Sequence, residues 1–224
     1  MSASRTGSSG GRRADAARND DKVLEAARET FLEMGAEAPV SEIARRAGVG
    51  MGTLYRRYPT KEDLIRRVCV VGMERTTREA LAALEDPDPW SGFAGFMERC
   101  TEAGVGGLSH LAGAFAVTDD FREIAERARE AMQALVDRAR DEGTLRPGLT
   151  AADVSTLLQQ LLPRDIHGPQ QVAALRRRYL AVILHGLRGT EPLPGPAASW
   201  QDIAARWSAT RPASITTPED HRIV

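Results

Sequence analysis

One short segment, Met51-Gly-Thr-Leu-Tyr-Arg-Arg57, gathers hydroxyls, guanidiniums and a stretch of bare backbone. An arginine fork matches the O6 and N7 edge of guanine, and threonine and tyrosine hydroxyls bond phosphate oxygens. The spacing decides whether these groups share a face. At about 100° per residue, with Leu54 at 0° toward a core, Tyr58 falls at about 40° and Met51 at about 60°. Gly52 and Arg56 then point outward at about 160° and 200°, flanked by Tyr55 at about 100° and Thr53 at about 260°. A glycine inside a helix costs about 0.8–1 kcal/mol relative to alanine. On the outward face it implies that something must approach the backbone closely. A DNA groove fits that requirement, with Arg56 reading a base and Thr53 and Tyr55 holding phosphates. Lys61 opens the next helix and reaches the flanking DNA backbone.

Positioning such a face needs a scaffold. The preceding residues, Val40-Ser-Glu-Ile-Ala-Arg-Arg-Ala-Gly-Val49 and then Gly50, form another short helix and a turn. Ser41 is placed to cap that helix. Ile43, Ala44 and Ala47 give it an apolar face, and small Ala44 lets the following helix cross closely. Gly48 permits a left-handed turn and Val49 plugs the corner. This is helix-turn-helix spacing, and its second helix is the one that enters a major groove. A longer helix, about Asp20–Met34, precedes it with Val23, Ala27, Phe31 and Met34 on one stripe.

This stretch, from Asp20 to about Arg67, resembles the TetR/AcrR family of bacterial transcriptional regulators. The densest match is Ile43-Ala-Arg-Arg-Ala-Gly-Val-Gly-Met-Gly-Thr-Leu-Tyr-Arg-Arg-Tyr-Pro-Thr-Lys-Glu62. The resemblance implies a three-helix DNA-binding domain joined to a larger all-α ligand-binding and dimerisation domain. It implies a homodimer on a palindromic double-stranded DNA operator, acting as a repressor released by a small molecule. The DNA contacts carried over are Ser41, Met51, Gly52, Thr53, Tyr55, Arg56, Arg57 and Lys61. Gly50 departs from the family pattern, standing where many members have serine. The segments Leu161–Gln171 and Arg176–Leu187 are similar to the SbtR-type C-terminal subgroup.

The rest of the chain is read as all-α, with nine or ten helices and no strand alternation. Leu64, Val68 and Val71 mark one stripe, and Phe121 to Ala139 the longest. Val154, Leu157, Leu158 and Leu161 follow, then Val172, Leu175, Tyr179, Val182, Ile183 and Gly186. Thr60-x-x-Asp63, Thr150-x-x-Asp153 and Ser199-x-x-Asp202 are helix-start signals. The expected division is a flexible tail at 1–15, the DNA-binding domain at 16–78 with helix 4 (about Lys61–Leu84) as connector, the ligand and dimer domain at 79–190, and a Pro-rich linker, short helix and tail at 191–224. The last two long helices of the larger domain, about 150–162 and 169–187, are the expected dimer interface. The ligand pocket is expected between Pro89 and Glu142, with Trp90, Phe93, Phe96, Met97, Cys100, His110, Phe115 and Met132 as candidate lining residues. His110 and His167 either bond a ligand or serve structure, and the aromatic and Met residues equally suit a plain core.

Other classes lack their signatures. No phosphate loop, His-Glu-x-x-His pair or nucleophile elbow occurs, so an all-α enzyme is only a remote alternative. Gly104-Val-Gly106-Gly107 has no preceding strand and is no dinucleotide fingerprint. The scattered His and Cys residues show no metal-ligand spacing, and no cofactor or metal is expected. No apolar run reaches the ~18–20 residues of a membrane span, and Met1–Gly11 lacks the apolar core of a secretory signal. Cys69 and Cys100 are expected as buried thiols of a cytoplasmic protein. A nearer alternative is a DNA-binding regulator that answers to a protein partner or to no ligand. The net charge of −1 over 224 residues conceals an asymmetry. Residues 1–78 hold 15 Lys+Arg against 11 Asp+Glu, and the remainder hold 15 against 20. A basic reader joined to an acidic body limits non-specific DNA binding.

Overall fold

The computed structural model describes residues 9–161 and 169–208, with side-chain surroundings for 18–161 and 171–208. Residues 1–8 of the expected tail, His167 with the rest of 162–168, and the tail beyond 208 lie outside the described residues. Among the described residues there are nine α-helices and no strand. They are α1 (Ser9–Met34), α2 (Val40–Ala47), α3 (Met51–Arg57), α4 (Lys61–Leu84), α5 (Pro89–Glu102), α6 (Asp119–Asp141), α7 (Ala151–Gln160), α8 (Pro169–Leu187) and α9 (Trp200–Ser208). A 3-10 turn at Gly107–Leu111 links α5 to α6.

Local chemistry sets most boundaries. Thr60 accepts from the Asp63 N–H at 3.0 Å while the Asp63 carboxylate accepts from the Thr60 N–H, a reciprocal cap that starts α4. Thr150 and Asp153 repeat the arrangement at α7. At α9 the Ser199 hydroxyl accepts from the Gln201 N–H at 3.0 Å. Two expectations are corrected. Ser41 does not cap α2: that helix begins at Val40, and its N-cap is Pro39 at φ −67° and ψ 132°, with no side-chain cap. Proline already fixes the backbone entry, which leaves Ser41 inside the first turn. Helix α1 begins at Ser9, not near Asp20. Its early residues carry no apolar stripe, so periodicity misses them, whereas Ala14, Ala16, Ala17 and the arginines favour helix intrinsically.

Two apolar cores run end to end. The first packs Phe31, Ile43, Leu54, Leu64 and Ile65 from α1–α4, and it also takes in Leu111, Phe115 and Phe121 from beyond residue 79. The second gathers Phe93, Phe96 and Met97 of α5 with Leu135 and Val136 of α6, Leu158 of α7 and Leu180 and Leu187 of α8. Helix α4 belongs to both: Leu64 to Val70 enter the first, Ala80 and Ala83 the second. Helix α6 runs beside it and likewise spans both, with Phe121 in the first and its later turns in the second. From α6, Arg138 donates to the Leu84 carbonyl at 2.8 Å and the Asp86 carbonyl at 2.6 Å. The first bond satisfies a carbonyl that the end of α4 leaves without a helical partner, and the second holds the loop that follows. The Gly104–Gly107 cluster has a packing explanation. Gly106 sits at φ +89°, and a Cβ there would come within 2.9 Å of the α7 backbone at Leu158 and Gln159.

Candidate nucleic-acid interface

The α2–α3 turn is built as its residue types require. Gly48 adopts φ 67° and ψ 32°, and its N–H bonds back to Ala44 and Arg45. The Val49 N–H reaches the Ala44 carbonyl at 3.0 Å. Ile43, Ala44 and Ala47 are buried. Helix α3 has only seven residues, and its N-cap Gly50 supplies no side-chain cap. A helix that short is marginal alone. Tertiary anchors hold it: Leu54 is 2% exposed and Tyr58, just past its end, 6%.

A third anchor was not legible in the sequence. Asp20 of α1 accepts two hydrogen bonds from Arg57, at 3.1 and 3.2 Å, and one from the Tyr58 hydroxyl at 2.7 Å. Partial burial pushes the Asp20 carboxyl up, but the Arg57 and Tyr58 hydrogen bonds outweigh it and hold the group below its ordinary value. Burial, then the Asp20 partner, pushes the Tyr58 hydroxyl up to about 12. Nothing in local periodicity connects positions 20 and 57, so only the fold, which brings Asp20 beside the end of α3, reveals the clamp.

The eight expected contact residues therefore divide. Gly52, Thr53, Tyr55 and Arg56 form the exposed face of α3 away from Leu54, as the angular arithmetic requires, and Met51, which that arithmetic puts nearer the core side, is exposed as well at the helix start. Ser41 is exposed in the first turn of α2 and Lys61 half-exposed at the start of α4. Among the described residues, Tyr55, Arg56 and Lys61 have no side-chain partner. Arg57 lies on the same exposed end, but its guanidinium is held by Asp20. Arg45 and Arg46 are also occupied: both pair with Glu42, and Arg46 reaches Glu33 at 2.7 Å. Their hydrogen bonds lower the Glu42 carboxyl to about 2. A Cβ on Gly52 would meet no atom of the chain within 4 Å. No internal neighbour demands that glycine.

The candidate pocket residues are placed differently from one another. A cavity of about 950 Å³ opens between α1, α4, α6, α7 and α9, on the side of the larger body that faces the DNA-reading helices. Of the eight candidates only Met132 lines it. Phe93, Phe96, Met97 and Cys100 are fully buried core, and burial pushes the Cys100 thiol up to about 12. Trp90 packs on Phe93 beneath the Arg188 guanidinium, 4.8 Å away. Phe115 stacks edge-on to Phe121 at 5.1 Å and lies under Arg66. His110 is braced between the Gly107 carbonyl at 2.6 Å and the Phe31 carbonyl at 3.0 Å, a structural role. Sequence reasoning missed Trp200, Ile203, Ala204 and Trp207 of α9 as lining residues. Their i, i+3, i+4, i+7 spacing was the available signal. Among the described residues there is no cluster of three or more His, Cys, Asp or Glu able to hold a metal ion, and no helix long and apolar enough to cross a membrane.

Residues 23–68 match the family model described as bacterial regulatory proteins, tetR family, and residues 88–189 match the SbtR-like transcriptional regulator C-terminal domain. Among solved structures, the TetR transcription regulatory protein from Mycobacterium vanbaalenii is 33% identical, with 79% of this chain and 99% of that one covered and a TM-score of 0.55. A TetR transcriptional regulator from Streptomyces coelicolor is 30% identical, covering 76% of this chain and 99% of that one, with the same TM-score of 0.55. An uncharacterized HTH-type transcriptional regulator of Bacillus subtilis is 25% identical over 52% of this chain and 56% of its own length. The match thus spans about half of that relative. With an exposed reading helix on a buried helix-turn-helix scaffold and two such relatives covered nearly end to end, the chain belongs to the TetR family of bacterial transcriptional regulators and carries its DNA-binding helix-turn-helix.

Proposed function

We propose that the protein is a homodimeric repressor that binds a palindromic operator through α3 and is released by a small molecule bound in its larger body. The observation that carries DNA reading is the outward face of α3: Gly52, Thr53, Tyr55 and Arg56 stand exposed opposite buried Leu54. Arg56 reads a guanine, Thr53, Tyr55, Ser41 and Lys61 hold phosphates, and Met51 packs on the groove wall. Arg57 acts from its clamp with Asp20, fixing the pitch of α3 and offering its remaining N–H groups to the DNA backbone.

Dimerisation is supported by α8. Leu180 and Leu187 of this helix are buried and Ile183 and Leu184 partly so, whereas Tyr179 is 45% exposed and Val182 68% exposed. Tyr179 and Val182 thus give the helix a second apolar face turned outward. A helix with two apolar faces needs a second partner, and a twofold copy of α7 and α8 supplies it. Two reading helices then stand about 34 Å apart, one DNA turn. The setting is the cytoplasm, where the operator is. Release is supported by the cavity bordering α4, the helix that leads from the reading unit into the larger body. A ligand shifts the dimer only by its differential affinity for the DNA-competent and incompetent spacings.

The test is a footprint over the DNA flanking the protein's own coding region, followed by fluorescence anisotropy on the protected duplex. Two protected half-sites about one helical turn apart support the reading. Binding to random duplex as tightly as to that site defeats it.

A further inference from the structure

Among the described residues, three glycines within helices would meet nothing within 4 Å if given a Cβ: Gly186 in the last turn of α8, Gly52 and Gly72. Gly52 faces outward from α3. Gly72 lies midway along α4. Glycine weakens a helix at such a place relative to alanine, so the open space on it serves something outside the chain. That space is the cavity, which Gly72 lines together with its neighbours Val71 and Met73.

The position of Gly72 in the fold is as telling as its type. Residues Leu64 to Val70 of α4 lock into the core of the DNA-reading helices, and Ala80 and Ala83 into the core of the larger body. Gly72 lies between the two sets. The Thr76 hydroxyl donates to the Gly72 carbonyl at 3.0 Å, and the Thr77 hydroxyl to that of Met73 at 3.1 Å. Such back-bonding by threonine loosens and bends helices. A ligand pressed on this point bears on α4 where it bends most easily.

The remaining walls indicate what kind of ligand fits. Leu24, Phe121, Met132, Leu158, Trp200 and Trp207 supply broad apolar and aromatic surface. Ten charged residues also border the cavity, five carboxylates and five arginines. Most are already matched: Arg28 by Glu25 at 2.6 Å, Arg67 by Glu74 at 3.5 Å, Arg129 by Glu126, and Asp20 by Arg57. Arg28 also donates to the Ala103 carbonyl. Among the described residues no cluster of one sign is left to receive an ionised ligand. Helix α9 closes the cavity with its Trp200–Trp207 stripe, held by Trp207 against Phe115 and Phe121 and by the Ala198 N–H on Asp153 at 2.8 Å. It lies beyond both matched family stretches, which end at residues 68 and 189.

We infer that the cavity takes an uncharged, mainly apolar ligand, seated against Gly72 on one side and the indoles of α9 on the other. The inference rests on the ligand-responsive reading above and names the chemistry and seat of that ligand. A cavity of this volume suits a small molecule of drug-like or smaller size.

The probe is N-phenyl-1-naphthylamine, a neutral fluorophore that brightens in apolar surroundings, titrated into the full-length protein. Decanol, decanoate and decylamine then compete for it. Saturable binding is expected, with decanol displacing the probe more effectively than either charged homologue. Gly72→Leu adds a side chain on the cavity wall, starting from a Cβ that meets nothing of the chain within 4 Å, and it should weaken probe binding by about tenfold or more while the melting temperature holds or rises. Ala125→Leu, from α6 on another wall, should do the same and serves if Gly72→Leu folds poorly. Unchanged probe affinity in both variants, no saturable binding in the wild type, or stronger displacement by decanoate or decylamine would each overturn the inference. DNA affinity measured at saturating probe is the separate arm. If it does not change while the displacement pattern holds, release by ligand fails and the assignment of the site stands.

Discussion

At the scale of single residues, Gly52 and Arg56 make opposite demands that one experiment can separate. A Cβ at position 52 is free of the chain, so Gly52→Ala should stabilise the fold by about 0.5–1 kcal/mol. If a DNA backbone occupies that space, the same substitution weakens operator binding. Thermal unfolding and anisotropy on one sample check both signs, and a variant that gains stability with no loss of affinity removes the close approach. Arg56→Ala should cost about 1–3 kcal/mol of binding and relax preference at one base pair. A uniform loss across operator variants would instead assign Arg56 to phosphate. Both residues were legible in the sequence, because a 3.6-residue period and one buried leucine fix which groups point outward. The pocket was not. Phe93, Phe96 and Met97 recur at the spacing of either a core or a ligand site, and only three-dimensional packing shows them fully buried. Gly72 was equally hidden, since a glycine among helix formers carries no mark of what lies across from it.

At the scale of elements, α3 is a short helix held at three points, and its clamp is sensitive to pH at both extremes. The Asp20 carboxyl is held below its ordinary value. Its contribution is therefore full above about pH 4 and lost as pH falls through the lowered value. The Tyr58 hydroxyl is pushed up to about 12. Its contribution is full below about pH 10 and lost as pH rises through about 12. An ultraviolet alkaline titration should show one tyrosine ionising about two units late, and Asp20→Asn should bring that step to lower pH. A Tyr58→Phe variant that leaves the late step in place would reassign it. Helix limits were legible wherever capping chemistry punctuates the chain, as at Thr60 and Thr150. They were not where a helix runs on without an apolar stripe, as in the first residues of α1. The capping expectation at Ser41 failed for a related reason, because Pro39 sets the helix start by backbone restriction rather than by a side-chain bond.

At the scale of the whole molecule, the proposed dimer turns on the outward face of α8. Light scattering should give twice the chain mass of 24.3 kDa. Val182→Glu, at a position 68% exposed in one chain, should leave the melting of a folded monomer intact while shifting the population to single chains and abolishing operator binding at low concentration. A dimer unaffected by Val182→Glu would move the interface elsewhere. The charge asymmetry works at this scale too: the basic excess lies with the reading helices and the acidic excess with the body that must stay clear of DNA.

The core of the reading unit does not end where the helix-turn-helix does. Leu111, Phe115 and Phe121 complete it from the far side of the chain, and His110 ties it to the Phe31 carbonyl. The reading head and the larger body are therefore not interchangeable parts. A chimera spliced near residue 78 to change operator preference would pair a foreign head with a mismatched floor, exposing three large apolar side chains or crowding them. Re-targeting such a regulator, for instance as the switch in a designed gene circuit, is better done by rewriting the outward face of α3 in place than by exchanging the head as a module.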